Sequence, residues 1–468
     1  MPEQKHIVII GAGTGGYVAA IRAAQLGARV TLVESAAVGG LCLNWGCIPS
    51  KALLACAELA TKIKKAGEFG ITIGGPVSYD LSRMVARKNK IVTTLVKGIH
   101  SLLATWKVEL VEGHGVVVAA KQVRVVKADA SEVLLTPDAI IIGTGTTPPA
   151  LPNLPLDGTQ IISSREILDL TAIPSSLLIV GGGVEGCEFA SLFSALGTKV
   201  TIAEMLPRIL PAEDEEVSAL LAAELKKQGV AILVGTRVDK VATDPKGVTT
   251  SLAVGEPLIT EKVLVSVGRG FNTTGLGLEG AGVARGSRGE IQVNERMETT
   301  VPGVYAIGDV VGKAMLAHVA SAQGKVAVRN ILGQPTQMQY DVIPAGIFTF
   351  PEIGRVGLTE QEARQQGMEV KIGKFRPVGL GKAHATAETT GLMKIITEAK
   401  TRKLVGVHLV GAHAADLVHE AAVAMHMGAT AEAIAETIHA HPTMPEGIME
   451  AAEDVESMAI HLARRRVG

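Results

Sequence analysis

Two stretches of the chain carry the same order of apolar, glycine and polar positions. "HIVIIGAGTGGYVAAIRAAQLGARVTLVE" and "SLLIVGGGVEGCEFASLFSALGTKVTIAE" each pass from an apolar run through Gly-x-Gly-x-x-Gly into small and apolar residues at helical spacing, then into a second apolar run closed by Glu. Gly11 precedes Glu34 by the same 23 positions that separate Gly181 from Glu204. The pattern therefore predicts two copies of one unit: strand, tight glycine turn, helix, strand. Between the copies, "ELVEGHGVVVAAKQVRVVKADASEVLLTPDAIIIGTG" alternates and turns as a β-meander returning to the first sheet, and "GVAILVGTRVDKVATDPKGVTTSLAVGEPLITEKVLVSVGRG" repeats this after the second copy. "IQVNERMETTVPGVYAIGDVVGKAMLAHVASAQGK" predicts a strand, a turn at Gly308-Asp309 and a helix. From about Pro344 the texture changes to strands ("GIFTF", "GLMKIITEA", "KLVGVHLVG") followed by helices ("ADLVHEAAVAMHMG", "PEGIMEAAEDVESMAIHLA"), a separate α+β domain with no low-complexity linker before it. The fold class is α/β, with two Rossmann-like dinucleotide-binding domains and a C-terminal α+β domain.

The glycines have separate tasks. Gly11 and Gly181 permit the turn, Gly13 and Gly183 let backbone approach a pyrophosphate at the helix N-terminus, and Gly16 and Gly186 let the helix pack on the sheet. The closing Glu accepts from a ribose diol. At the second site Glu204 would repel a 2′-phosphate, so NAD fits there better than NADP.

Charge removes several classes of function. Among 468 residues, 45 Lys and Arg balance 46 Asp and Glu, with no basic block or stripe, so nucleic-acid binding is not expected. No run of roughly 18 uncharged apolar residues predicts a membrane span. The first residues resemble a secretory signal only superficially, because glycines and Arg22 interrupt the apolar run. Four cysteines are too few for a secreted disulfide scaffold, and without a transit-like segment a reducing, cytoplasmic setting is expected. Cys42 and Cys47 lie five positions apart in "GGLCLNWGCIPSK", with Cys47 just ahead of a helical run that starts near Pro49. A thiolate there would gain from the helix dipole. A redox pair and two inert buried thiols are both open readings, whereas zinc lacks further Cys or His at ligand spacing. No metal is expected. Cys56 and Cys187, each within a helical run of small and apolar residues, read as buried inert thiols.

The chain carries "GAGTGG" with Glu34, "GGLCLNWGCIPSKAL", "IIGTGTTP", "GGGVEGCEFA" with Glu204, "VGRGFNT", "VYAIGDV" with "MLAH", and "HAHPTMPE". On these motifs it resembles, over its whole length, the pyridine nucleotide-disulfide oxidoreductases, and among them the branch that oxidises protein-bound dihydrolipoamide. This resemblance implies a redox-active Cys42–Cys47 disulfide. Gly11, Gly13, Gly16 and Glu34 would hold the ADP half of FAD, and Lys51 would lie by the flavin. Gly115, Thr144, Gly145, Asp309 and Ala317 would complete that site. Gly181, Gly183, Gly186, Glu204, Val238, Gly268 and Arg269 would hold NAD. Glu188 would pair with Lys51, and His441, oriented by Glu446, would act as base on the disulfide of a second subunit. His439 reads as structural. The implied domains are FAD-binding (1–148), NAD-binding (149–272), central, completing the FAD site (273–343), and interface or dimerisation (344–468). The implied assembly is a homodimer, with lipoyl domains and core subunits of 2-oxoacid dehydrogenase complexes or a glycine cleavage system as partners.

Trp45 and Leu41 depart from the pattern: a small aliphatic is usual at the first position, and Thr is frequent at the second. Trp45 either packs or reshapes the mouth of the substrate channel. "AHVASAQG" lacks an acid often found near its end, and "FTFPEIGRVG" is closer to the glutathione reductase style. Competing readings are another flavin-dependent reductase of the family and a catalytically silent dinucleotide-binding scaffold. "HLARRRVG" carries no cysteine pair of the mercuric reductase kind, Glu204 stands where glutathione reductase would call for arginines, and a soluble transhydrogenase would lack Cys42 and Cys47. A scaffold needs none of Cys42, Cys47, His441 and Glu446.

Overall fold

The computed structural model describes residues 4–463. The first unit forms as the pattern predicts: strand His6–Ile10, helix Thr14–Gln25, strand Arg29–Glu34. Its sheet is parallel throughout, in the order Val304–Ala306, Ala139–Ile142, His6–Ile10, Arg29–Glu34, Glu109–Glu112. Covered on both faces, its central strands read as unbroken apolar runs, and Ile7, Val8 and Ile9 have no exposed surface. The second unit repeats this with strand Ser176–Val180, helix Val184–Ala195 and strand Lys199–Ala203. Its parallel order is Ala231–Leu233, Lys199–Ala203, Ser176–Val180, Lys262–Val265, Ile161–Ile162.

The meanders differ in detail from the expectation. His114–Ala119, Gln122–Val126 and Glu132–Leu135 form their own antiparallel sheet, and only Ala139–Ile142 after them rejoins the first sheet. Val123 and Val125 bury one face of this meander against Val8, Ile10 and Val33, while Arg124 between them stays exposed. A two-faced strand can cover a sheet but cannot serve as its interior. The second unit has the matching meander, Val238–Asp244, Gly247–Leu252 and Leu258–Thr260. The strand Val304–Ala306 closes the first sheet, and the following helix Ala317–Ile331 packs on Thr14–Gln25, Gly15 and Gly324 allowing the approach.

The C-terminal sheet is antiparallel, ordered Ala345–Ile347, Glu352–Gly357, Leu404–Gly411, Leu392–Glu398, Val370–Phe375. Two of its strands, Glu352–Gly357 and Val370–Phe375, escape the sequence pattern because glycine and charged residues dilute their apolar positions. The last helix, Glu446–Asp454, ends well before the apolar pattern does. Ser457 turns the chain at φ +60°, and the buried Glu450 carboxylate holds the N–H and ring of His461. A buried lysine joins this domain to the second unit: Lys394 donates at 3.0 and 2.9 Å to Asp214, which caps the helix Glu215–Lys227, and lies 2.8 Å from Glu360. No helix among the described residues is long and apolar enough to cross a membrane.

Candidate active site

Cys42 and Cys47 are bonded to each other, with Cα atoms 4.7 Å apart. Each stands on its own helix. Cys42 lies in the short helix Gly40–Trp45, entered through left-handed Gly39 (φ +95°), and Cys47 is the first residue of Cys47–Lys64. The second helix thus starts two residues before the expected Pro49, because the break falls at Gly46, not after Cys47. Cys47 consequently sits among free N–H groups at a helix start, where a thiolate is favoured. Trp45, half-buried, is covered by the Arg165 guanidinium, 4.3 Å from its ring centre. It packs in this way beside the pair. Cys187 is fully buried and its thiol is pushed up by that burial, as its inert reading requires. Cys56 is only half-buried and corrects that reading: its face of Cys47–Lys64 lines a small apolar cleft with Leu59, Tyr79 and Met84.

One turn beyond Cys47, Lys51 reaches the second glycine helix. Its Nζ donates to both oxygens of Glu188 at 2.9 and 2.8 Å, and lies 4.7 Å from the centre of the Phe348 ring. Glu188, 5 % exposed, also accepts the Phe348 N–H at 3.0 Å. One carboxylate therefore ties the disulfide helix, the second unit and the C-terminal domain together.

The two glycine turns match atom for atom. A Cβ on Gly11 would lie 2.4 Å from Gly143 O, and one on Gly181 would lie 2.1 Å from Ser266 O; both residues have φ above +100°. At Gly16 and Gly186 a Cβ would strike the carbonyl of the first glycine of the turn at 1.8 and 2.1 Å. A Cβ on Gly183 would meet nothing and one on Gly13 would only touch Gly40 Cα at 4.0 Å, and each glycine precedes a helix with no side-chain cap. Glu34 accepts the N–H of Ala12 at 2.6 Å and of Ala36 at 2.8 Å; Glu204 accepts those of Gly182 at 2.7 Å and Leu206 at 2.8 Å. Each acid braces its own turn and keeps lone pairs for a diol. Below Glu34 an open cleft of about 1190 Å³ runs past Ala36, Val38, His100, Gly113 and Lys127. Unoccluded N–H groups, a braced acid and a cleft suit a dinucleotide phosphate and its adenosine end.

Of the remaining expected contacts, Asp309, Thr144, Gly145 and Arg269 gather where the two units meet. Asp309, in the turn of 3₁₀ helix Gly308–Val311, accepts from the Thr146 hydroxyl at 3.3 Å. Burial pushes its carboxyl up, and the Thr146 bond and Arg269 charge pull it back. Arg269 donates from Nε to Thr146 Oγ1 at 2.7 Å and from a terminal nitrogen to Thr146 O at 3.1 Å. Thr144 donates to Asn272 O at 2.8 Å, and Gly145 O accepts the Asn272 N–H at 3.0 Å. Gly115 abuts Ile10, Ala317 opens its helix, and Gly268 turns at φ +102° on the surface. Val238 is 5 % exposed within an apolar cluster, and its carbonyl accepts from Asn153 Nδ2 at 3.4 Å.

His441 stands apart on the C-terminal domain. Its Nδ1 is 2.8 Å from Glu446 Oε1, while Glu446 Oε2 accepts the Thr443 N–H at 2.7 Å. Burial pushes the Glu446 carboxyl up, but the Thr443 bond together with His441 outweighs it and holds the group below the usual carboxylate range. In the neutral tautomer whose Nδ1–H donates to that carboxylate, Nε2 keeps its lone pair. The side chain of His441 is 76 % exposed, whereas that of His439 is 6 % exposed, held between Thr437 O and Glu420. Thr146, Phe348 and Arg165 are additions that sequence reasoning missed. Each meets its partner across more than a hundred residues; Thr146 lies within "IIGTGTTP" and Phe348 within "GIFTF", but neither stretch reveals the contact.

Residues 5–324 match the family model for pyridine nucleotide-disulphide oxidoreductases, and residues 343–452 match that family's dimerisation domain. The chain is 42 % identical to a dihydrolipoyl dehydrogenase of Chlamydia pneumoniae over 454 residues, covering 97 % of each chain. Its fold is similar to the crystal structure of LpdA from Mycobacterium tuberculosis, with a TM-score of 0.91 and 28 % identity over 96 % of this chain and 99 % of that one. It is also similar to the HOCl-induced flavoprotein disulfide reductase RclA from Escherichia coli in its Cu(II) complex, with a TM-score of 0.86 and 28 % identity over 96 % and 99 %.

Proposed function

The chain belongs to the pyridine nucleotide-disulphide oxidoreductases, which use FAD and a pyridine nucleotide, and on that premise we propose that it oxidises dihydrolipoamide to lipoamide while reducing NAD⁺. The observation that carries this is the Cys42–Cys47 disulfide at a helix start, tied through Lys51 and Glu188 to the second nucleotide unit.

In this reading the chain supplies the thiol chemistry. Nε2 of His441, oriented by Glu446, takes the proton of a substrate thiol, and the thiolate attacks Cys42 Sγ. The Cys42–Cys47 bond breaks as the substrate–Cys42 bond forms, and Cys47 leaves as a thiolate among the N–H groups of its helix. The second substrate thiol displaces Cys42, which leaves as a thiol carrying that second proton, while His441 keeps the first. The substrate leaves as a cyclic disulfide two electrons poorer, and the cysteine pair is two electrons richer. FAD, when bound, would supply the two-electron relay between the cysteine pair and NAD⁺. Gly11, Gly13, Gly16, Glu34, Gly115, Thr144, Gly145, Asp309 and Ala317 would hold it, with Lys51 near its ring and Glu188 balancing that charge. Gly181, Gly183, Gly186, Glu204, Val238, Gly268 and Arg269 would hold NAD.

His441 has no cysteine of its own chain among its hydrogen-bond partners and is largely exposed, which supports a site completed by the disulfide of a second subunit. The dimerisation domain supports a homodimer. Lipoyl domains of a 2-oxoacid dehydrogenase complex or a glycine cleavage system would then present the substrate. Free Cys56 and Cys187 suit a cytoplasmic setting.

The test is anaerobic addition of dihydrolipoamide to the flavin-loaded protein, then of NAD⁺ or NADP⁺. Bleaching of the flavin absorbance followed by NADH formation with NAD⁺ alone is expected. A flavin that stays oxidised with this thiol yet bleaches with NADH would move the assignment to another disulfide substrate.

A further inference from the structure

Thr146 belongs to neither glycine turn, yet one contact from each nucleotide site ends on it. Its side chain is buried, the residue being 8 % exposed. The hydroxyl accepts the Arg269 Nε–H at 2.7 Å and gives its own proton to Asp309 Oδ2 at 3.3 Å. A hydroxyl has a single proton, so the direction of this chain is fixed while Arg269 stays in place. The joint itself does not depend on the hydroxyl: Thr146–Thr147 pairs with Gly270–Phe271 through backbone, and the Asn272 N–H adds a bond to Gly145 O at 3.0 Å.

We propose that the Thr146 hydroxyl is a positioning group that couples the two nucleotide sites, so that NAD⁺ in the second site changes how firmly the first holds its flavin. The inference rests on the reading of Asp309 and Arg269 as nucleotide contacts. An arginine that donates to a hydroxyl polarises it and strengthens its onward bond. When NAD⁺ draws the guanidinium to its own polar groups, the Thr146–Asp309 bond weakens and an Asp309 lone pair is released to the flavin's polyol chain. Asp309 is sensitive to such a change, being half-buried and dependent on Thr146 and Arg269 to offset its burial. Linkage makes the effect reciprocal, so the flavin-loaded protein also binds NAD⁺ more tightly than the stripped protein.

The experiment follows FAD release from the oxidised flavoprotein by the fluorescence of free FAD, with and without saturating NAD⁺, whose binding is titrated separately. Wild type should release FAD more slowly with NAD⁺, by about fivefold at the low end of ordinary coupling. Thr146→Val, which keeps the β-branched shape, should bring the ratio to about one, and Thr146→Ser should restore it. Should the valine protein fail to hold FAD, Thr146→Ala is measured in its place. A valine or alanine variant with the wild-type ratio overturns the proposal, as does a wild-type ratio of one while NAD⁺ binds measurably. A wild-type protein that binds no NAD⁺ overturns instead the reading of the second site.

Discussion

In the proposed mechanism two sulfurs and an imidazole carry the chemistry, and each can be removed without disturbing the nucleotide turns. Cys42→Ser and Cys47→Ser should each abolish dihydrolipoamide oxidation, because neither can form the mixed disulfide and resolve it. FAD content, read from absorbance, should stay at wild-type level, since the turns at Gly11 and Asp309 are untouched; retained turnover in Cys42→Ser would remove the pair from the mechanism. His441→Gln should lower the forward rate by about a hundredfold or more, the ordinary contribution of a positioned base. A near-normal rate would instead leave proton removal to solvent. Much of this constellation was legible in the sequence because it is local: five positions separate the cysteines, and five separate His441 from Glu446. The bracing of the glycine turns by Glu34 and Glu204 was not, since the motif names a ribose contact and is silent on the acid's second task. Phe348 and Thr146 were invisible for a different reason: their partners lie 160 and 123 positions away, and distance along the chain erases any pattern.

At the scale of elements, the doubled unit was readable because a parallel strand, a glycine turn and a helix each impose a short-range period. The strands Glu352–Gly357 and Val370–Phe375 lacked one, and the C-terminal helix overran because apolar spacing continues after the backbone has turned. Nor could spacing reveal the joint between the helix Glu215–Lys227 and the C-terminal sheet. Burial pushes the Asp214 carboxyl up, but the bonds and charge of Lys394, with His408 and the Glu216 N–H, hold it below its usual range. Burial pulls Lys394 the other way, downward, and the carboxylates of Glu360 and Asp214 more than reverse it. A depressed carboxyl stabilises above its unfolded value, about 3.9, and the contribution is lost as pH falls through the lower folded value. The raised lysine stabilises below about 10.4 and loses this as pH rises through its folded value. Lys394→Met, which strands Asp214, should cost about 3–5 kcal/mol near neutral pH. Urea midpoints measured against pH should show that the gap between wild type and variant closes in acid. A gap unchanged at pH 3 would mean that packing, not charge, holds the joint.

For the whole molecule, the exposed His441 and the remote disulfide set a test of shared sites. Cys47→Ser and His441→Gln chains are each inactive alone. If each site takes its base from the other subunit, co-refolding equal amounts should restore about a quarter of wild-type turnover, since half the dimers are mixed and each holds one intact site. Sites contained within single chains would restore none. The strand order carries a different consequence, for synthesis. The first sheet takes Val304–Ala306 from beyond the entire second unit, and Asp309 follows it. A ribosome therefore delivers the second unit, contiguous in sequence, before the first is whole. Emerging chain should close the second unit first, leaving the earlier-made flavin pocket open until residues past 331 have left the exit tunnel. Stalled nascent chains ending near residue 310 should thus resist protease across residues 160–265 yet fail to retain FAD, and those extended by about 65 residues, enough to clear the tunnel, should retain it. FAD held by the shorter chains would mean that the first sheet does not need its borrowed strand.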